Sequence, residues 1–185
     1  MTPDEAFVLA ARRFAESGAT PAVPRVAGTV VLLREPYEVY LMERAATMAF
    51  AAGMYAFPGG GAEPVDADPR ATAVREVREE TGVVLAPEAL VPWGRWITPE
   101  FEPRRFDTYF FLARLPDGQR TRRSGGEATH DLWLPPAATT DLPMLPPTRV
   151  TLAELARFDS IEAALAAPRD LSPVQPRVVD GKLVY

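Results

Sequence analysis

The 185-residue chain contains no cysteine, which excludes disulfides, thiolate nucleophiles and cysteine-ligated zinc. Its single histidine, His130, cannot build a multi-histidine metal centre. Lysine is nearly missing as well: Lys182 stands alone among 20 basic residues, against 25 acidic ones. The resulting net charge of −5 disfavours sequence-independent nucleic-acid binding, so no nucleic-acid partner is expected. No apolar run approaches the roughly 20 residues that cross a bilayer, so no membrane partner is expected either. Met1-Thr2-Pro3-Asp4-Glu5 is acidic and lacks the basic-then-apolar order of a signal peptide, which points to the cytoplasm. What is present suits one globular domain: 47% hydrophobic and 24% charged residues supply a core despite 20 prolines.

Residues 4–17 read as a helix, with Phe7, Leu9, Ala10 and Phe14 near helical spacing and Gly18 as a stop; residues 20–24 are a connector. Two β-branched runs, Val26–Leu33 and Val39–Met42, form a hairpin about residues 34–38. Residues 45–56 read as a loop leading to a short strand at 55–57. Phe57-Pro58-Gly59-Gly60-Gly61 reads as a tight turn, because three glycines and a proline break regular structure. Asp68 is a good N-cap and Pro69 a good first helical residue, so a helix is predicted over 69–81, ending at Gly82. Strands are expected at 83–85, 93–98, 106–115 and within 127–134, then an amphipathic helix over 151–167 and a hairpin about Asp180-Gly181 in the tail. The fold class is α+β or an α/β/α sandwich, with residues 1–24 as N-terminal helix and connector, 25–167 as core and 168–185 as tail.

The predicted helix over 69–81 carries Glu76, Glu79 and Glu80 at i, i+3 and i+4, on one face, with Ala73, Val74 and Val77 opposite. Three like charges on one turn repel, and they approach the helix C-terminus, where the macrodipole also disfavours them. A cation relieves both penalties, and an all-oxygen ligand set selects Mg²⁺ or Mn²⁺. The plainer alternative is a solvated face on which Arg75 and Arg78 form surface ion pairs. The glycine run just before the helix favours the first reading, because it lets backbone approach a phosphate or a metal closely.

Gly60, Asp66 and Arg75-Glu76-Val77-Arg78-Glu79-Glu80-Thr81-Gly82-Val83 together resemble the Nudix box, G-x5-E-x7-R-E-U-x-E-E-x-G-U with U apolar. The second half matches at every defined position. The first half departs: counted back from Arg75 the glutamate position is Ala67, and counted forward from Gly60 it is Asp66, followed by a gap of eight residues instead of seven. A gap one residue longer resembles the pattern in the coenzyme A diphosphatase branch of the family, and Asp66 and Asp68 are both at hand. The resemblance implies a mixed curved β-sheet between helices. It also implies water attack, assisted by Mg²⁺ or Mn²⁺, on a diphosphate that links a nucleoside to another group. On that mapping Glu79 and Glu80 look like the main metal ligands, Glu76 a further ligand or general base, Gly59 a carbonyl ligand, and Arg75 an orienting partner of one glutamate.

Leu41-Met42-Glu43-Arg44, Gly53 and Phe57-Pro58-Gly59-Gly60 resemble the segment before the box in coenzyme A-cleaving members, although Ala45 replaces the usual serine. Trp96-Ile97-Thr98-Pro99 and Arg104-Arg105-Phe106-Asp107-Thr108 look like a segment of the peroxisomal acyl-CoA diphosphatases and their bacterial relatives. The substrate implied is coenzyme A or acyl-CoA, gripped through Arg44, Gly60, Arg104 and Arg105; guanidinium forks match phosphates, and in an arginine-rich chain they are also ordinary surface groups. Glu127, in a glycine-rich loop, corresponds to a loop glutamate that supplies a further base or metal ligand in the family; otherwise it is a solvated charge. Trp93, Trp96, Phe101 and Tyr109 either stack an adenine or fill the core, and His130 either moves a proton or is structural. ADP-ribose, NADH or another nucleotide is the alternative substrate, and a non-catalytic binding or regulatory module the alternative of another class. Many members of the family are dimers, so a homodimer is one expected assembly.

Overall fold

The computed structural model describes residues 3–46, 52–122, 124 and 128–185. In chain order the elements are α1 (Pro3–Ser17), β1 (Arg25–Arg34), β2 (Glu38–Arg44), β3 (Tyr55–Ala56), β4 (Gly59–Gly61), α2 (Pro69–Thr81), β5 (Val91–Ile97) and β6 (Phe106–Arg114). There follow β7 (Ala128–Leu134), α3 (Pro146–Leu155), α4 (Ile161–Ala166), β8 (Arg177–Val179) and β9 (Lys182–Val184). No helix among the described residues is long and apolar enough to cross a membrane.

Strand β1 is the spine. Val30 to Leu33 are each 0% exposed, which requires cover on both faces of the sheet. Val31 and Leu33 pack with Leu152 and Leu155 of α3 and Ile161 of α4, whereas Val30 and Leu32 pack with Ala73 and Val77 of α2. Alternation along one strand therefore feeds two cores, and the result is an α/β/α sandwich around a mixed sheet. β6 runs parallel to β1 along one edge, and β5 continues antiparallel beyond it.

The other edge of β1 is shared. Near its end it pairs with β2 (Leu33↔Val39, Arg34↔Glu38), but near its start it pairs with β4 (Ala27↔Gly61, Gly28↔Gly60, Thr29↔Gly59). β2 in turn pairs with β3 through Met42↔Ala56 and Glu43↔Tyr55. The hairpin thus opens into a fork, and the chain from Tyr55 to Gly61 crosses from one prong to the other. Val30 N–H and the Thr29 hydroxyl both donate to the Pro58 carbonyl, at 2.9 and 3.0 Å, and fix that crossing.

Three expectations need correction. Gly59-Gly60-Gly61 is a strand and not a turn; side chains are excluded there by close neighbours, since a Cβ on Gly59 would strike the Thr29 hydroxyl and lie 2.7 Å from the Gly28 carbonyl. Residues 83–85 are not a strand: Val83 and Leu85 are buried, but Val84 finds its partners in the Gln119 side-chain amide, which accepts from Val84 N–H at 2.8 Å and donates to its carbonyl at 2.9 Å. The helix expected over 151–167 is two, α3 starting earlier at Pro146 and α4 restarting where the Ser160 hydroxyl caps Ala163 N–H at 3.2 Å. The tail hairpin forms as expected about Asp180 and Gly181, both at positive φ.

Candidate active site

Helix α2 starts and stops where its sequence dictates. Asp68 accepts from Ala71 N–H at 2.8 Å, Pro69 occupies the first turn, and Gly82 closes the helix at φ 73° with its N–H on the Arg78 carbonyl. Ala73 and Val77 are fully buried against the sheet. Close approach depends on Gly28 of β1: a Cβ there would collide with the Pro69 carbonyl and lie 2.8 Å from Ala73 N.

That docking lays the acidic face of α2 along β4. A Cβ on Gly60 would lie 2.5 Å from Glu76 Oε1, so a side chain there would push this carboxylate off the strand. Gly59 N–H donates to Glu80 Oε2 at 2.8 Å. Arg75 ties the rest together. Its Nε and Nη2 donate to the Asp66 carboxylate at 3.0–3.2 Å, and Nη2 also reaches the Gly61 carbonyl at 3.0 Å. Nη1 is shared between Glu76 Oε1 at 3.0 Å and Glu79 Oε2 at 3.2 Å. The Asp66 side chain is only 4% exposed, and the Arg75 guanidinium bonded to it lowers its pKa from 3.8 to about 2. Asp66 reciprocally raises the pKa of Arg75, which stays cationic throughout. The departure from the box pattern therefore has a physical content: Asp66 holds the arginine that precedes the three glutamates.

The fork in the sheet is a cleft of about 510 Å³. Glu76, Glu79 and Arg75 line one wall with Gly59, Gly60 and Gly61, and Arg44 enters from the end of β2. Phe106, Thr108 and Phe110 of β6 line the far wall; these were missed from the sequence, although alternate positions on one strand share a face and a period-two reading of 106–110 contains the signal. Glu63, also missed, lies on the rim 3.9 Å from Arg75 Nη1.

Other expected site residues lie elsewhere. Arg105 is 8% exposed and turned inward, with Nε on the Thr98 carbonyl at 3.0 Å and Nη1 on the Ala22 carbonyl at 2.7 Å. Arg104 is exposed, and neither it nor Arg105 lines the cleft. Glu127 falls outside the described residues. Trp93 and Trp96 belong to the core, Phe101 packs on Phe7 of α1, and Tyr109 lies under the Arg95 guanidinium; none lines the cleft. His130 is on exposed β7, with Nδ1 2.7 Å from Glu43 Oε2, and is also away from the cleft.

Whether this site suits a metal ion is a question of donor chemistry. Glu76, Glu79 and Glu80 project from one helical turn beside backbone oxygens, a hard all-oxygen set free of thiolate and imidazole, which fits a divalent ion of the magnesium class. Among the described residues no three acidic, histidine or cysteine groups are already gathered about one point. The reason is visible: Arg75 occupies Glu76 and Glu79, and Gly59 N–H occupies Glu80. An ion would have to take these carboxylates from their present hydrogen-bond donors.

A glycine-lined fork facing a helix of glutamates defines a class of protein as well as a site. The sequence profile of the NUDIX domain matches residues 23–155. The chain belongs to the Nudix hydrolase family, whose members generally use divalent metal ions. A NUDIX hydrolase of Alicyclobacillus acidocaldarius superposes with a TM-score of 0.72 at 28% identity, covering 79% of this chain and 97% of that one. The NUDIX domain of Shewanella oneidensis NrtR, solved with ADP ribose, superposes with a TM-score of 0.60 at 19% identity over 85% of this chain and 97% of that one, a likeness of fold. Nudix hydrolase 7 of Caenorhabditis elegans is 25% identical over 183 aligned positions, 75% of this chain and 61% of that protein's length.

Proposed function

We propose that the protein is a divalent-metal-dependent diphosphatase whose substrate is coenzyme A or acyl-CoA, cleaved to adenosine 3′,5′-bisphosphate and the corresponding phosphopantetheine. The observation that carries the chemistry is the seating of Glu76 against Gly60 inside the cleft, with Glu79 one turn on. Glu76, Glu79, Glu80 and the Gly59 carbonyl would hold Mg²⁺ or Mn²⁺. Such an ion supplies neutralisation of diphosphate charge and activation of water. Arg75, anchored by Asp66, orients Glu76 and Glu79. Arg44 offers a phosphate contact across the cleft, and Glu76 is our candidate base.

The choice of coenzyme A rests on the residues around Arg44 and Gly53 and on the Trp96–Pro99 and Arg104–Thr108 segments. Since Arg105 is bonded to backbone carbonyls and Arg104 does not line the cleft, we assign phosphate recognition chiefly to Arg44. A second reading takes ADP-ribose as the ligand of the cleft, since the Shewanella oneidensis domain of like fold binds that molecule.

Product analysis by mass spectrometry decides between them: the protein and Mg²⁺ are incubated in parallel with coenzyme A, ADP-ribose, NADH and a dinucleoside polyphosphate. Adenosine 3′,5′-bisphosphate from coenzyme A is the expected product, whereas AMP from ADP-ribose alone keeps the chemistry and discards the substrate. Glu79→Gln should lower kcat by more than the roughly 10- to 100-fold that partners outside a metal's own ligand set cost. Full activity in that variant would discard the assignment of Glu79.

A further inference from the structure

Beside the cleft lies a smaller pocket of about 90 Å³. Thr98, Thr108, Phe110, Leu145 and Pro147 line both spaces, so the two adjoin. The wall away from the cleft is apolar and comes from distant parts of the chain: Phe7 of α1, Trp96 and Ile97 of β5, Pro146 at the start of α3, and Pro176 of the tail. Phe7 is braced by Phe101, with ring centroids 6.0 Å apart.

Three properties define the occupant. The lining is largely apolar: Pro99, Pro146, Pro147 and Pro176 have no N–H, and Thr98, Thr108 and Glu102 are its polar side chains. The pocket is small: an engineered cavity of about 150 Å³ holds a benzene ring, so 90 Å³ suits roughly three or four carbons. It is also remote. Gly61, Ala27, Thr108 and Trp96 stand in one cross-strand row, so the pocket, lined from Thr108 to Trp96, lies two to three strand spacings of about 4.8 Å, roughly 10–14 Å, from the glycine strand. A group bound there hangs on a long arm beyond the diphosphate.

We infer that this pocket is a specificity subsite for the short acyl end of an acyl-CoA, with Phe7 of α1 as its end wall. The inference rests on the coenzyme A reading above and adds chain-length selection to it. ADP-ribose and NADH carry no aliphatic chain to fill it. Glu102, the one ionisable residue in the lining, is raised in pKa by its burial, and in its anionic form it repels an acyl chain that ends in a carboxylate.

The test is kcat/KM for free coenzyme A and its butanoyl, succinyl and octanoyl thioesters, on wild type and Phe7→Ala, with adenosine 3′,5′-bisphosphate as the product measured. Burying about three methylenes predicts a roughly 10- to 50-fold preference for butanoyl-CoA over coenzyme A. Octanoyl-CoA should fall roughly fivefold or more below butanoyl-CoA, because it overfills the space. Succinyl-CoA, equal in length but charged at its end, should fall at least about tenfold below it. Phe7→Ala removes the end wall and should shift the octanoyl-to-butanoyl ratio towards octanoyl; a ratio of kcat/KM values does not depend on how much of the variant is folded. Equal kcat/KM across the series, with coenzyme A still cleaved, overturns the subsite and leaves the diphosphatase reading intact. An unchanged ratio in Phe7→Ala also overturns it. Cleavage of ADP-ribose without any coenzyme A species removes the underlying reading and the subsite together.

Discussion

Arg75 bonds Asp66, Gly61, Glu76 and Glu79, with Glu63 at 3.9 Å, because it stands where α2, β4 and the loop at Asp66 meet, and its partner Asp66 is nearly enclosed. That pair has a pH signature. The Arg75 guanidinium lowers Asp66 from 3.8 to about 2, so the folded state binds this proton less readily than the unfolded chain. The stability contributed by Asp66 is complete above about pH 4 and is lost as the pH falls from there towards 2. Asp66→Asn should therefore flatten the fall in unfolding free energy between pH 4 and 2, as followed by urea titration. At neutral pH the same substitution should lower kcat/KM by roughly 10- to 100-fold, since it releases the residue that orients Glu76 and Glu79. A variant with wild-type kinetics would show that Arg75 is held well enough by Gly61 and the glutamates alone.

At the scale of elements, two glycines on adjacent strands let α2 approach the sheet. Gly28 admits the helix backbone and Gly60 admits the Glu76 carboxylate. Gly28→Ala should cost about 1–3 kcal/mol in unfolding free energy, the usual range for overpacking, and lower Tm by about 2–4 °C for each kcal/mol. The path for relief is short, because the atoms met are backbone of α2 and the side chain of Ala73 rather than the end of a flexible group. An unchanged Tm would mean that α2 slides along β1 without loss. The start and stop of α2 were legible from Asp68, Pro69 and Gly82, because capping is chemistry within a few residues. The strand at Gly59–Gly61 was not legible: its composition favours a turn, and its strand geometry is imposed by β1 alongside it. Residues 83–85 failed in the opposite sense, since a β-branched run lacked a neighbouring strand and borrowed the Gln119 amide. The split between α3 and α4 carried a local sign, the capping Ser160, which helical spacing on either side obscured.

At the scale of the whole molecule, the cleft exists because β1 and β2 separate and the chain between them returns to β1. An ion bound only by the folded protein must stabilise it: at about 100 times its Kd the gain is about 2.7 kcal/mol, a rise in Tm of roughly 5–10 °C for a domain of this size. Thermal melts in EDTA against Mg²⁺ or Mn²⁺ should show that rise in wild type and lose most of it in Glu79→Gln. No shift with either ion would remove the metal from this site. The tail adds a second tie, since Val174 pairs with β5 through Arg95 and Ile97 backbone, and Arg169 stacks on Trp93 while bonding Glu154. This anchoring places Pro176 in the wall of the side pocket, beyond the reach of any local pattern.

The sequence by itself determined the carboxylate helix, its caps, the class of the fold and the family, because each depends on residue types at short fixed spacing. Tertiary structure decided where the arginines lie: Arg44 enters the cleft, Arg105 is bonded to backbone carbonyls, and Arg75 is held by Asp66. It also decided the far wall of the cleft and the side pocket, where residues as distant as Phe7, Phe110, Pro147 and Pro176 meet. Spacing along the chain encodes a helix face; it does not encode which strands lie side by side, and the surface of the cleft is made by that pairing.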